Sequence, residues 1–410
     1  MREDHANAGQ GVCNGRRPPG QCTDRGDGVE SLEAAQRRSV ADFSQAQAHR
    51  LANLAIPRHS SPRMLRPFAS QRLDSRAFLL LALLSLGGCN HRAPGGERLF
   101  VSDDRGDMVV GVDMPTVGVA DQIAVAGRPR GLAFSPDHAT LYAALSAQPD
   151  SEEDEVEADP APPKSRIDGV AVIDAASAKV MRVLPAGRDP IRVAVSGDGR
   201  TLFVANQADG ALTRVAADGS GKPHSVPVCD SPEGMALAPD GKTLFVACVD
   251  ADRVAMLDTN DLHAIRKIRV RGGPRAALTA HDGQHIYIAT DNGRLIILKG
   301  DGRVDKVLDL TRDANDVRAA GMVEASDGHL FVTTGRYGAV VEVDPKAGTI
   351  VRTIDHVGTE PMGIGISADG ATLITANGAS GDVSLISRIS GKVVRKLNVG
   401  KRPWGVAARG

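Results

Sequence analysis

Seven times along this chain a short phrase of the form P-x-G, or a close variant, opens an apolar run. The residues at and beside its x position are Arg130, Ile191 with Arg192, Glu233, Arg275, Ala320 with Arg318 nearby, Met362 and Trp404. A guanidinium grips a carboxylate or phosphate through two parallel N–H bonds. An indole can cover the apolar or cationic part of the same ligand. Tyr337 lies on a nearby loop and is a further candidate for the group. The competing expectation is that these arginines pair with loop carboxylates such as Asp103, Asp209, Asp250, Asp291 and Asp382 and only tie neighbouring elements together.

Other chemistry is thinly represented. Of five cysteines, Cys229 and Cys248 occupy related places in one repeat, so a disulfide between them is open beside two separate small core residues. No CxxC pair suggests zinc, and the histidines are scattered, so no metal site is expected. The chain lacks a G-x-S-x-G elbow, an H-E-x-x-H pair, a phosphate loop and a CxxCH haem attachment. No cofactor is therefore expected. The formal net charge of −1 gives no field to recruit nucleic acid.

The elements that must position the candidates follow from the repeat. The Pro slots are Pro129, Pro190, Pro232, Pro274, Ala319 (in place of Pro), Pro361 and Pro403, mostly 42 residues apart. The first interval is longer by an acidic insert, 147–165, which reads as a solvated loop, a cover for the ring of candidate residues or a dock for a basic partner. Eight residues after each of the first six slots stands an Asp, usually followed by Gly. Between apolar runs this predicts a hairpin whose two central residues take positive φ. A second run follows, as in "LFVAN" and "LFVAC", then a third and a fourth. Four short strands fill 42 residues with no room for a helix. Four-stranded sheets arrayed around an axis predict an all-β, seven-bladed β-propeller over residues 97–410.

The ends of the chain explain each other. The strand from Leu99 has no P-x-G strand before it, and the strand Pro403–Gly410 has no partner after it. Together they complete the seventh blade and remove an open edge. Phe100, Tyr142, Phe203, Phe245, Tyr287 and Phe331 recur at one place in the second strand, with Ile374 in the seventh copy, and are predicted to be core.

Ahead of the repeats, residues 1–63 lack periodicity and read as a disordered or non-native upstream extension. Residues 64–88 have a basic flank, the apolar run "AFLLLALLSL" and then "LGGC" ending at Cys89. This is similar to a bacterial lipoprotein signal. It implies lipidation of Cys89, a short linker over 89–96, and a membrane link through the anchor alone. With Asn90 next, the expected address is the periplasmic face of the outer membrane.

At "VGTEPMGIGISADGATLITANGASGDVSLIS" the chain resembles the YVTN-repeat propellers, and "GKRPWGVA" is similar to the YncE-like propellers associated with PQQ-dependent catabolism. The resemblance covers 97–410 and implies seven blades and an envelope location. Function must be argued from the site. With no catalytic set evident, the first expectation is a monomeric, non-catalytic module binding a small anion or an envelope protein at its top face, the mouth of the central channel where the P-x-G strands begin. The alternative is a lactonase-like hydrolase using Glu233 or a loop Asp, with arginines polarising a carbonyl. A third possibility is a haem or quinone-cofactor accessory protein, which would need a histidine at the mouth.

Overall fold

The computed structural model describes residues 97–149, 166–310 and 317–408. The upstream extension, the signal segment, Cys89 and most of the acidic insert lie outside them. Twenty-eight strands run from β1 (Arg98–Asp103) to β28 (Pro403–Ala407), with one 3-10 turn at Gly335–Tyr337. They form seven antiparallel four-stranded sheets. Six are continuous in sequence. The seventh has the order β28-β1-β2-β3, with β2 at Met108–Asp113 and β3 at Gly118–Ala124. Phe100 pairs with Ala407 and Val101 with Val406, so the first and last described strands share one blade.

The first strands of successive sheets touch in a closed circle. They are β28, β4 (Arg128–Phe134), β8 (Pro190–Val195), β12 (Pro232–Leu237), β16 (Pro274–Thr279), β20 (Met322–Glu324) and β24 (Pro361–Ile366). β20 is only three residues long. Its blade carries Ala319 where the others carry Pro, and pairing there begins at Met322. Second strands are buried throughout, as in β13 (Thr243–Cys248), because another blade covers each face. Fourth strands such as β7 (Lys179–Leu184) are largely exposed. The recurrent aromatic is buried in the six blades that carry it, as is Ile374 in the seventh, and apolar clusters fill the spaces between neighbouring sheets.

The hairpin after each first strand differs from expectation in one respect. Only the second central residue has positive φ: 57° at His138 and 71° at Gly199, while the Asp before it does not. The reason is the bond from the Asp carboxylate to the N–H two residues on, made in all six turns, including those with Ala238, Ala280 and Ala325 in place of Ser. Asp137 Oδ1 accepts from Ser135 Oγ at 2.5 Å and from the Ala139 N–H at 3.0 Å. The latter bond holds Asp137 in ordinary backbone geometry and leaves one left-handed position.

Candidate functional site at the channel mouth

Hydroxyls from second strands tie the inner strands together. Ser102 Oγ donates to the Arg130 carbonyl at 2.7 Å and accepts from the Gly405 N–H at 2.7 Å. Thr333 Oγ1 donates to the Met362 carbonyl at 2.8 Å. The glycine of P-x-G is required by this close approach. A Cβ at Gly234 would come within 2.5 Å of the Arg275 carbonyl oxygen, and one at Gly131 within 2.8 Å of that of Ile191. Five blades keep glycine in this slot. One has Ala276, and the remaining one has Arg192.

Glu233 and Arg275 face each other from adjacent blades. Arg275 Nη1 donates to Glu233 Oε2 at 2.5 Å. Its Nε and Nη2 grip Asp291 at 2.5 and 2.8 Å. Burial works against the Arg275 charge, but Glu233 and Asp291 outweigh it and hold the guanidinium above its ordinary pKa. Glu233 is 1% exposed. Its Oε1 makes no hydrogen bond to a described residue, so one carboxylate oxygen is anchored and the other is open.

Arg192 is different. Its guanidinium stacks on the Trp404 indole, 4.7 Å from the ring centroid. Its Nε is buried with no hydrogen-bond partner, and among the described residues it forms no ion pair. Burial pushes its pKa down; Glu233 opposes that shift and Arg275 adds to it. A glycine slot has thus been given to a long cation whose N–H groups find no hydrogen-bond acceptor among the described residues.

Arg130 is engaged. It lies 3.4 Å from Asp104 Oδ1 and 3.4 Å from Asp189 Oδ1, bridging the two flanking blades. Arg128, fully buried, also holds Asp104, at 3.1 and 2.5 Å. Sequence reasoning missed Arg128, Asp104 and Asp189. The expected pairing of arginines with loop carboxylates does occur at Arg130 and at Arg275, with Asp291 alone drawn from the expected set. Asp209 instead binds Arg188 and Asp103 takes backbone N–H groups. Met362, Ala320, Ile191 and Trp404 join one apolar cluster with Met235. Tyr337 is 46% exposed on its 3-10 turn, and its side chain makes no hydrogen bond among the described residues. Arg318 likewise makes no ion pair among them.

A disulfide joins Cys229 to Cys248, with Cα atoms 6.0 Å apart. Cys248 pairs in register with Pro232, the residue before Glu233. Elsewhere, Asp258, Asp261 and His263 gather three potential ligand atoms within 4.8 Å at an exposed turn. His263 Nδ1 and Asp261 Oδ1 already lie 2.6 Å apart. A cavity of about 570 Å³ lies between the last two continuous blades, beside the Asp-Gly turns and so at the opposite end of the sheets. Its floor is an interblade clamp: Glu342 accepts from Arg352 at 2.5 Å and lies 2.7 Å from His329 Nδ1, and Arg388 pairs with Asp327.

The circle of sheets and the charged inner strands define a propeller with its candidate site at one mouth of the ring. The chain belongs to the lactonase family of seven-bladed beta-propellers, which it matches over residues 113–400. Among solved structures it is similar to the periplasmic gluconolactonase of Pseudomonas aeruginosa, at 22% identity and TM-score 0.62, covering 77% of this chain and 99% of that one. It is also similar to hydrazine synthase of Kuenenia stuttgartiensis, at 21% identity and TM-score 0.59, covering 71% and 92%. A third is virginiamycin B lyase of Staphylococcus aureus, at 14% identity and TM-score 0.54, covering 68% and 88%. At these identities the likeness is one of fold. Among curated proteins no sequence matches the chain.

Proposed function

We propose that the protein is a lactone hydrolase working at the channel mouth, in preference to the non-catalytic binding module that the sequence first suggests. The observation that carries this reading is the presence on adjacent inner strands of Glu233, buried and half-anchored by Arg275, and Arg192, a half-buried cation that pairs with no carboxylate among the described residues. Membership of the lactonase family supports it.

The chemistry is ester hydrolysis within a ring. Glu233 Oε1 takes a proton from water as its oxygen attacks the lactone carbonyl. The Arg192 N–H groups donate to the oxygen on which negative charge develops, where burial strengthens the interaction. The intermediate collapses, the C–O bond of the ring breaks, and Glu233 returns the proton to the departing alkoxide. Arg275 keeps the carboxylate aimed, while Asp291 neutralises the second half of that guanidinium.

The test is titration of acid released from a lactone panel by the purified chain. Glu233→Gln should lower kcat/KM by at least about 100-fold, and Arg192→Met by a comparable factor. Arg192→Lys should recover only part, since an ammonium lacks the planar fork. Unchanged rates in both Glu233→Gln and Arg192→Met would remove the hydrolase reading. The same reading places the protein outside the cytoplasm, anchored through Cys89 to the outer membrane, and the Cys229–Cys248 bond supports an oxidising compartment. Peptide mass analysis of the native protein should find Cys89 acylated at the N-terminus; recovery of residues 1–63 would overturn that part.

A further inference from the structure

We infer that the lactone accepted here carries an apolar body, an alkyl or aryl substituent, rather than the hydroxyls or phosphate of a sugar lactone. The inference rests on the hydrolase reading and narrows its substrate.

The mouth is two-sided. The arc made by β8, β12 and β16 presents Arg192, Glu233 and Arg275. The arc made by the segment entering β20, and by β24 and β28, presents Ala320, Met362 and Trp404, each 6–8% exposed. These three and Ile191 belong to one continuous apolar cluster. The indole N–H is the one strong hydrogen-bonding group those four side chains offer. Inner-strand cations are also largely spoken for. Arg130 is held by Asp104 and Asp189, and Arg275 by Glu233 and Asp291. Arg192 is the inner-strand cation without an ion pair among the described residues, and hydrolysis assigns it to the carbonyl oxygen. Arg318, on the segment entering β20, also forms no ion pair among them, and the phosphate arm of the test below decides whether it serves the ligand.

A substrate lying across this mouth puts its ring carbonyl between Arg192 and Glu233 and the rest of its body on the apolar arc. Hydroxyls directed there would lose water and gain no partner, which is costly. A methylene placed there gains the transfer energy of burial. Arg192 stacked on Trp404 joins the two halves, because its planar face packs on the ring while its edge donates N–H groups.

Lactams, which keep the ring carbonyl and are not opened, separate binding from turnover. Titration calorimetry with δ-lactams bearing a 6-alkyl chain from methyl to butyl should show Kd falling about three- to fourfold per methylene. Gluconolactam should bind at least about tenfold more weakly than the butyl compound, and its 6-phosphate no better. Met362→Ser should flatten the alkyl series, and Met362→Leu should keep it, with melting curves confirming that both variants fold. A flat series, no binding of any alkyl lactam, or tighter binding of the sugar lactam or its phosphate overturns the inference. A steep series with no opening of the matching lactones would instead overturn hydrolysis and leave the ligand class standing.

Discussion

Asp103 shows what single side chains do in this ring besides chemistry. Its Oδ1 accepts the N–H groups of Lys401 and Arg402 at 3.0 and 2.7 Å, fastening the approach to β28, while its Oδ2 is buried without a partner. Burial pushes its pKa up; the two backbone bonds oppose this, and Asp104 adds to it. A carboxyl raised in the folded state contributes stability fully present below its unfolded value of about 3.9 and lost as pH rises through the folded value. Asp103→Asn keeps the acceptor and removes the buried charge. The difference in melting temperature, variant minus wild type, should therefore be more positive at pH 7 than at pH 4. The opposite sign in melts at the two pH values would show that the bonds to Lys401 and Arg402 need a full charge. The Arg192–Glu233–Arg275 group was partly legible at this scale, because all three break the monotony of small and apolar residues on inner strands. What was not legible is which arginine stays open. That depends on Asp104 and Asp189, which lie outside the x slot and reach Arg130 only once the blades are placed side by side. The substitution of Arg192 for the glycine of the repeat was readable in the sequence, but its meaning needed the close approach of neighbouring backbones.

Strands and their turns were the most readable level, because the hydrophobic period, the Asp-Gly turns and the aromatic slot all point to the same hairpins. Two details escaped. The Asp carboxylate accepting the N–H two residues on changes the turn geometry, and loss of Pro at Ala319 leaves β20 at three residues. At this scale the Cys229–Cys248 bond is the element to perturb. It closes a segment with a sequence separation of 19 and clamps the entry of β12 to the end of β13. A loop of this size predicts a stabilisation of about 3 kcal/mol. Replacing both cysteines by Ala should lower the stability derived from the denaturant midpoint by roughly that amount. Glu233 stands next to Pro232, so lactone hydrolysis should fall further than the folded fraction does. Activity that simply tracks the folded fraction would show that Arg275 alone aims Glu233.

The whole ring depends on joining its two ends. Six blades close their own hairpins, and the seventh is held by pairing of β1 with β28, by Ser102 bridging to Arg130, and by Asp103. Repeat architectures leave an unburied face wherever a neighbour is missing, and a ring with one sheet lacking its inner strand would expose Val406's contacts on the adjoining blade and the edge of β1. Truncation after Gly400 should therefore abolish the single cooperative melt of the intact chain, although it removes only ten residues. A circular permutant separates connectivity from packing. Phe100 lies opposite Ala407, so Ala408 and Glu97 can be joined by a short Asp-Gly hairpin like those of five of the other six blades. New ends fit at the exposed turn Asp218–Lys222, between β10 (Ala211–Ala216) and β11 (His224–Pro227). This permutant should melt cooperatively within a few degrees of the parent and retain the Arg192→Met and Glu233→Gln losses. If it unfolds like the truncation, closure needs the native chain ends themselves, and pairing of β1 with β28 is insufficient to seal the ring.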